Sequence, residues 1–227
     1  MINFEKTGCL LKNTDTRYFL NRIKTYDMNL YEHSIKTAML MELILPYFKI
    51  QEGISDMEVI KGALLHDIGK LSIDKKILEK KGVLADDEFE IIKKHPAEGI
   101  SFLSAMSEIV KSCCLMHHEN LDGTGYPYKR KGEEIPDYCK LLSIIDKIEA
   151  VTNADRVYRI PIKDLNVLEE YINGEIRNGH IDSAYARRIM FILKDTRADY
   201  KLLDIRNKNK NLTISEFGGS SVLIFDF

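Results

Sequence analysis

Up to about residue 196, apolar side chains recur at three- and four-residue intervals, and no long alternating run of β-branched residues interrupts them. That spacing gives each segment one stripe to bury and predicts an all-α body. Leu30, Ile35, Ala38, Met41 and Leu45 fit one helix ending near Pro46, and Ser55 with Glu58 has capping-box spacing at the start of the next. Further helices are expected over about 86–94, 97–118, 137–155, 164–177 and 182–195, with Pro136 at a first helical position and Gly179 as a stop. Glu119 to Ile135, with three glycines and a proline, reads as a long connection of the kind usually kept for function. In the tail, TISEF, GGSS and VLIFDF resemble two short strands about a glycine turn, a small C-terminal β-hairpin after a polar, basic connector at 197–210.

At 227 residues the chain suits one sizeable domain with an appendage. Forty-four per cent hydrophobic and 30% charged residues exclude a mostly disordered or fibrous chain. A formal charge of -2 provides no basic field for DNA, RNA or an anionic membrane, so none of these is an expected partner. The longest apolar stretch, Met39 to Phe48, is broken by Glu42 and Pro46 and is half of the roughly 20 residues that span a bilayer. The amino terminus lacks a basic start followed by an apolar run, which predicts a cytoplasmic protein. Cys9, Cys113, Cys114 and Cys139 show no CxxC spacing and read as reduced and mostly buried.

The histidines fall at 33, 66, 95, 117, 118 and 180. His66-Asp67 closes a predicted helix with Lys70 four residues after the histidine, His95-Pro96 sits at a helix junction, and His117-His118 ends another helix. Asp146 lies inside the apolar run LLSIID and shares a helical face with Glu149, Ala150 and Asn153, a polar stripe that needs partners. Any one of these histidines alone reads as a packed polar residue. Five imidazoles and two carboxylates together are too many for one tetrahedral site and fit two divalent first-row metals. His180, beside Gly179, lies outside this set and is assigned no catalytic role.

HSIKTA (33–38), HDIGK (66–70), ILEKKGVL (77–84), HPAEGI (95–100), HHENLDGTGYP (117–127), GEEIP (132–136) and DKIEAVTNADRVYR (146–159) together resemble the HD-GYP family, metal-dependent phosphodiesterases of cyclic di-GMP within the HD superfamily. The resemblance spans about residues 25–195 and implies an HD-domain helical bundle extended by the HD-GYP helices. It divides the chain into an N-terminal extension (1–24), a stand-alone catalytic domain (25–195) and a C-terminal extension (196–227). By that resemblance His33, His66 and Asp146 hold one metal, His95, His117 and His118 hold the second, and Asp67 bridges them, with iron or manganese favoured. Where some members add a carboxylate for a third metal, this chain has Asn29, a poorer ligand, so a dinuclear site is expected. The family more often has Asp near Glu149, and TNADRVYR carries one extra residue before its arginine.

The implied reaction is hydrolysis of cyclic di-GMP to pGpG or GMP by a metal-bridging hydroxide, with Asp67 and Lys70 catalytic and Lys70 steadying charge on the nonbridging oxygens. Substrate contacts are expected from Lys70, Asp122, Gly123, Gly125, Tyr126, Pro127, Lys129 and Arg156. Asp122 is expected to order the loop rather than bind metal, and Lys129, Arg130 and Lys131 either meet phosphates or solvate a loop tip. Two other readings stand beside this one: a phosphohydrolase of another cyclic dinucleotide such as 3′,3′-cGAMP or of another nucleotide, and a non-catalytic cyclic-dinucleotide receptor. A protein partner or a homo-oligomer through the tail hairpin is the further expectation, since strand edges invite pairing.

Overall fold

Polar side chains start the helices where the apolar spacing begins. Asn13, Asp27 and Ser107 each accept a hydrogen bond from the backbone N–H three residues on, satisfying a donor that the helix itself leaves open. The computed structural model describes residues 4–80, 82–153 and 162–195, together with the backbone of two strands at 213–217 and 220–224. The helices are α1 (Glu5–Lys12), α2 (Thr14–Tyr26), α3 (Met28–Ile44), α4 (Asp56–Leu65), α5 (Lys75–Leu78), α6 (Asp86–Ile92), α7 (His95–Phe102), α8 (Glu108–Met116), α9 (Asp137–Thr152), α10 (Leu165–Arg177) and α11 (Ser183–Asp195). Strands β1 (Thr213–Phe217) and β2 (Ser220–Ile224) form an antiparallel hairpin, with Thr213 opposite Ile224 and Phe217 opposite Ser220.

The body is therefore all-α, as the apolar spacing predicts. α3 lies at its centre, packed against α2, α4 and α9, while α4 also packs on α8. Ala38, Met39, Met41 and Ile44 of α3, Ile60, Leu64 and Leu65 of α4, and Leu141, Leu142 and Ile144 of α9 are fully buried in one core. The amino-terminal helices join it: Phe4, Leu10, Leu20 and Ile23 belong to the same cluster. The Glu42 carboxylate of α3 anchors α1 by accepting the Lys6 and Thr7 N–H groups, both at 2.8 Å.

Two expectations need correction. The helix predicted over 97–118 is two helices, α7 and α8, because Leu103 N–H turns back to Gly99 and Ile100 and Ser107 then caps a new start. Phe102, Leu103 and Met106 all pack against or within the core, so the apolar period runs on through the break and hides it. Pro136 caps α9 from just outside rather than opening its first turn. Gly179 does end α10, at φ +74°.

Candidate metal centre

Five elements meet at one end of α3. His33 comes from the second turn of α3, His66 and Asp67 from the point where α4 stops, His95 from the first residue of α7, His117 and His118 from the end of α8, and Asp146 from the middle of α9. The HDIGK turn can reach α7 because residue 69 is glycine: a Cβ there would stand 1.9 Å from the His95 carbonyl oxygen and 2.7 Å from the Gly99 nitrogen. That close approach seats Asp67 beside His95. His33, His66, Asp67, His95 and His117 are each buried to 3% exposure or less, Asp146 is buried, and His118 is part-exposed.

The seven side chains form two groups, one of His33, His66 and Asp146 and the other of Asp67, His95, His117 and His118. In the first, His33 Nε2 lies 3.1 Å from both His66 Nε2 and Asp146 Oδ1. In the second, His95 Nε2 lies 3.2 Å from His117 Nε2. Asp67 divides its carboxylate between them. Its Oδ2 faces His33 Nε2 at 3.4 Å and His66 Nε2 at 3.5 Å, while its Oδ1 faces His95 Nε2 at 3.1 Å and His117 Nε2 at 3.5 Å. Lys70 Nζ sits 2.5 Å from Asp67 Oδ2. The chain thus brings all seven sequence-predicted side chains together.

The far side of each ring decides what its near side offers. Nδ1 of His66, His95 and His117 donates to the carbonyls of Ala63, Ile92 and Cys114 at 2.7, 2.7 and 2.8 Å, so in the neutral rings each Nε2 carries a lone pair. Paired Nε2 atoms at 3.1–3.2 Å with lone pairs facing each other repel unless a proton or a cation stands between them. Asp67 Oδ1 is likewise buried without a hydrogen-bond partner. Converging nitrogen lone pairs around an orphaned carboxylate oxygen are what divalent cations satisfy, and the donor set of imidazole and carboxylate fits them. The cysteine thiols stand apart: burial pushes Cys114 well up and keeps it protonated.

Electrostatics separate the two groups. Burial alone would lower His33, but the charge of Glu149 and contacts with Asp146 and Asp67 hold it well above the usual imidazole value. His66 is raised the same way against its burial, through Asp67 and Asp146. In the other group burial wins, taking His117 down to about 4 and His118 well below the ordinary value, helped by neighbouring imidazoles. Asp67 and Asp146 resist the upward pull of burial. Lys70 and His66 hold Asp67 well below the carboxylate range, and His33 and His66 do the same for Asp146.

Two carboxylates that belong to this site were not among the predicted site residues. Glu149, one turn beyond Asp146, accepts from His33 Nδ1 with Oε2 and from Asn153 Nδ2 at 2.8 Å with Oε1, which fixes the tautomer and aim of His33. Its position on the polar face of α9 was the signal. Glu119, almost fully buried, accepts the backbone N–H groups of Tyr128 and Arg130 at 2.7 and 2.9 Å and so folds the glycine-rich loop back over the site. Gly125 lets that loop close, since a Cβ there would lie 2.3 Å from Asn120 N and 2.5 Å from the His118 carbonyl oxygen. The Tyr126 ring then covers His118 at 4.7 Å between centroids.

The remaining predicted residues fall at the rim. Asp122 is exposed, and its Oδ1 accepts from the Thr124 N–H and hydroxyl at 2.9 and 2.7 Å, an ordering contact within the loop. Gly123 takes φ +83° in that turn, Pro127 follows Tyr126 through a cis peptide, and Lys129 is exposed. Arg130 pairs with Glu134 at 3.2 Å. Asn29 is exposed on the first turn of α3. His180 contacts Glu175 at 3.1 Å, away from the groups, and Arg156 lies outside the described residues.

Known proteins carry the same arrangement of sequence. The family described as "HD domain" matches residues 31–184. A cyclic di-GMP phosphodiesterase of Pseudomonas aeruginosa is 33% identical over 181 residues, covering 78% of this chain and 42% of that protein. A 3′3′-cGAMP-specific phosphodiesterase of Vibrio cholerae is 34% identical over 143 residues, covering 61% and 27%. The chain spans half or less of the length of these relatives. In three dimensions the HDG"Y"P protein Bd1817 of Bdellovibrio bacteriovorus superposes with a TM-score of 0.57 at 18% identity, over 71% of this chain and 51% of that one, which shows a common fold. No helix among the described residues is long and apolar enough to cross a membrane. From the family match, these relatives and the shared fold, the chain belongs to the HD domain family as an HD-GYP protein.

Proposed function

We propose that the chain is a metal-dependent phosphodiesterase that hydrolyses cyclic di-GMP to pGpG or GMP. One observation carries this reading: a single buried carboxylate, Asp67, turns one oxygen to each of two groups of imidazole nitrogens. His33, His66 and Asp146 would hold one divalent ion, His95, His117 and His118 the other, with Asp67 shared. The resemblance to the HD-GYP family favours iron or manganese, and mixed imidazole and carboxylate donors without thiolate accommodate either. When bound, such a pair supplies an activated water and positive charge opposite the phosphate oxygens.

The chain's own groups complete the site. Lys70 keeps Asp67 ionised and, at the mouth of the centre, offers its ammonium to a nonbridging phosphate oxygen. Glu149 aims His33, and Glu119 holds the loop whose Tyr126 ring lies against His118. Gly123, Gly125 and Pro127 shape that loop for close approach, and Lys129 extends positive charge along its rim. Asp122 serves the loop's turn. A second substrate, 3′,3′-cGAMP, follows from the relative of that specificity, and base selection rests on side chains beyond the metal groups.

The test is elemental analysis of anaerobically prepared, iron- or manganese-loaded protein together with chromatography of products from a panel of cyclic dinucleotides. Two ions per chain with turnover of cyclic di-GMP are expected. Intact substrate, or an Asp67→Ala protein that behaves like the wild type, sinks the proposal.

A further inference from the structure

α2 has two unlike faces. Leu20 and Ile23 enter the core, whereas Tyr18, Asn21, Arg22, Thr25 and Tyr26 line a groove whose other wall is Leu71 and Lys75, just beyond HDIGK. The groove has a volume of about 580 Å³, within the usual range for small-molecule sites. Its α2 wall lies outside the matched family segment, 31–184.

The lining has a definite chemistry. The Arg22 guanidinium carbon lies 5.9 Å from the Tyr18 ring centre and 5.0 Å from that of Phe102, and Lys75 Nζ lies 5.4 Å from the Tyr26 ring. Stacking on rings holds both cations in place without neutralising them. Among the described residues Arg22 makes no ion pair, and Lys75 has only an exposed, 3.6 Å contact with Glu79. Asp74, nearby, already caps α5 through the Lys76 N–H at 2.9 Å. No carboxylate lines the groove. Two fixed cations suit a phosphate, a guanidinium plane and exposed tyrosine suit a planar base, and the Asn21 amide and Thr25 hydroxyl suit base or ribose edges. The groove is also tied to the catalytic turn, since the Tyr26 hydroxyl donates to the Ile73 carbonyl.

We infer that this groove between α2 and residues 71–75 is a second ligand site, for a nucleotide, distinct from the metal centre. The chemistry is shared by a mononucleotide and a cyclic dinucleotide, and competition separates them.

The test is photolabelling of the full-length, metal-loaded chain with 8-azidoguanosine monophosphate and peptide mapping by mass spectrometry. Label is expected on the peptides containing Tyr18–Tyr26 or Leu71–Lys75, with protection by GMP or by cyclic di-GMP. The double substitution Arg22→Ala, Lys75→Ala removes two exposed side chains and should lower that label by about tenfold or more while leaving label on the Tyr126 peptide unchanged. Label confined to the Tyr126 peptide, label at α2 indifferent to the double substitution, or protection by inorganic phosphate as strong as by GMP overturns the inference. Because the readout is a labelled peptide rather than turnover, its failure is distinct from failure of the phosphodiesterase reading.

Discussion

The two halves of the metal centre share Asp67 and differ in almost everything else. The His33, His66 and Asp146 half is built by contacts between distant segments, carries its own carboxylate and has a second, Glu149, behind His33. The His95, His117 and His118 half comes from α7 and α8 and, apart from the shared Asp67, has imidazoles only. The first half therefore attracts positive charge of any kind, protons included, and its histidines are held above the ordinary value. In the second half burial drives protons from His117, at about 4, and from His118, held well below the ordinary value. Asp67 thus faces one group of imidazoles that holds protons and another whose His117 and His118 shed them.

The largest test removes what the halves share. Asp67→Ala takes an oxygen from both groups and leaves Lys70 without its partner. Loss of metal charge stabilisation worth several kcal/mol predicts a fall in turnover of about 10³-fold or more, with metal content below one ion in both halves together. Turnover of cyclic di-GMP and elemental analysis measure it.

Next come substitutions that strike one half each. His66→Ala should leave one ion, in the His117 half, and His117→Ala should leave one, in the His66 half. Each should reduce turnover by about 10²-fold or more, since a lone ion serves only one side of the phosphate. If either substitution empties both halves, the centre fills as a unit and the contrast between its halves does not govern metal loading.

His66, Asp67, His95, His117 and His118 stood out in sequence because they sit in short motifs at helix ends, whereas the division of the ligands between two metals came from the family resemblance. His66, Asp67 and Lys70, or His117 and His118, need no knowledge of the fold to be grouped. What joins the halves was less legible. His33 and Glu149 are separated by 116 residues and meet only because α3 packs on α9. The role of Glu119 depends on the loop returning to it at Tyr128 and Arg130, which turn residues alone do not specify. The break between α7 and α8 was invisible because Leu103 and Met106 preserve an apolar rhythm while the backbone turns. The N-terminal helices lay beyond the motifs, so their place in the core emerged only from packing.

A smaller effect tests the layer behind His33. Glu149→Gln keeps the shape but weakens the acceptor for His33 Nδ1, and loss of such a partner costs about 10- to 100-fold in metal affinity. The effect should fall on the His66 half alone, read by metal titration in the His117→Ala background. Glu149→Asp should recover part of the affinity. Equal loss in the His66→Ala background would assign Glu149 to both halves.

The smallest effect is set by pH. His33 is raised, so the metal-free first half carries a proton at and below its folded value, and metal must displace it. Affinity there should therefore fall as pH drops, by about tenfold per pH unit for each proton displaced, and level off once pH exceeds that raised value. His117 is depressed to about 4 and His118 is depressed as well, so these two imidazoles are already deprotonated near neutrality and lower metal affinity only as pH falls well below it. The sign follows from which state holds the proton: a raised histidine makes metal binding alkaline-favoured across neutrality, whereas a depressed one moves that dependence into acid. Metal titration of the His117→Ala and His66→Ala proteins at about pH 7 and about pH 6 should show a loss of roughly tenfold in the first and a smaller one in the second. Parallel losses would mean that Asp67 couples the protonation of both halves, so that the proton, like the carboxylate, belongs to the centre as a whole.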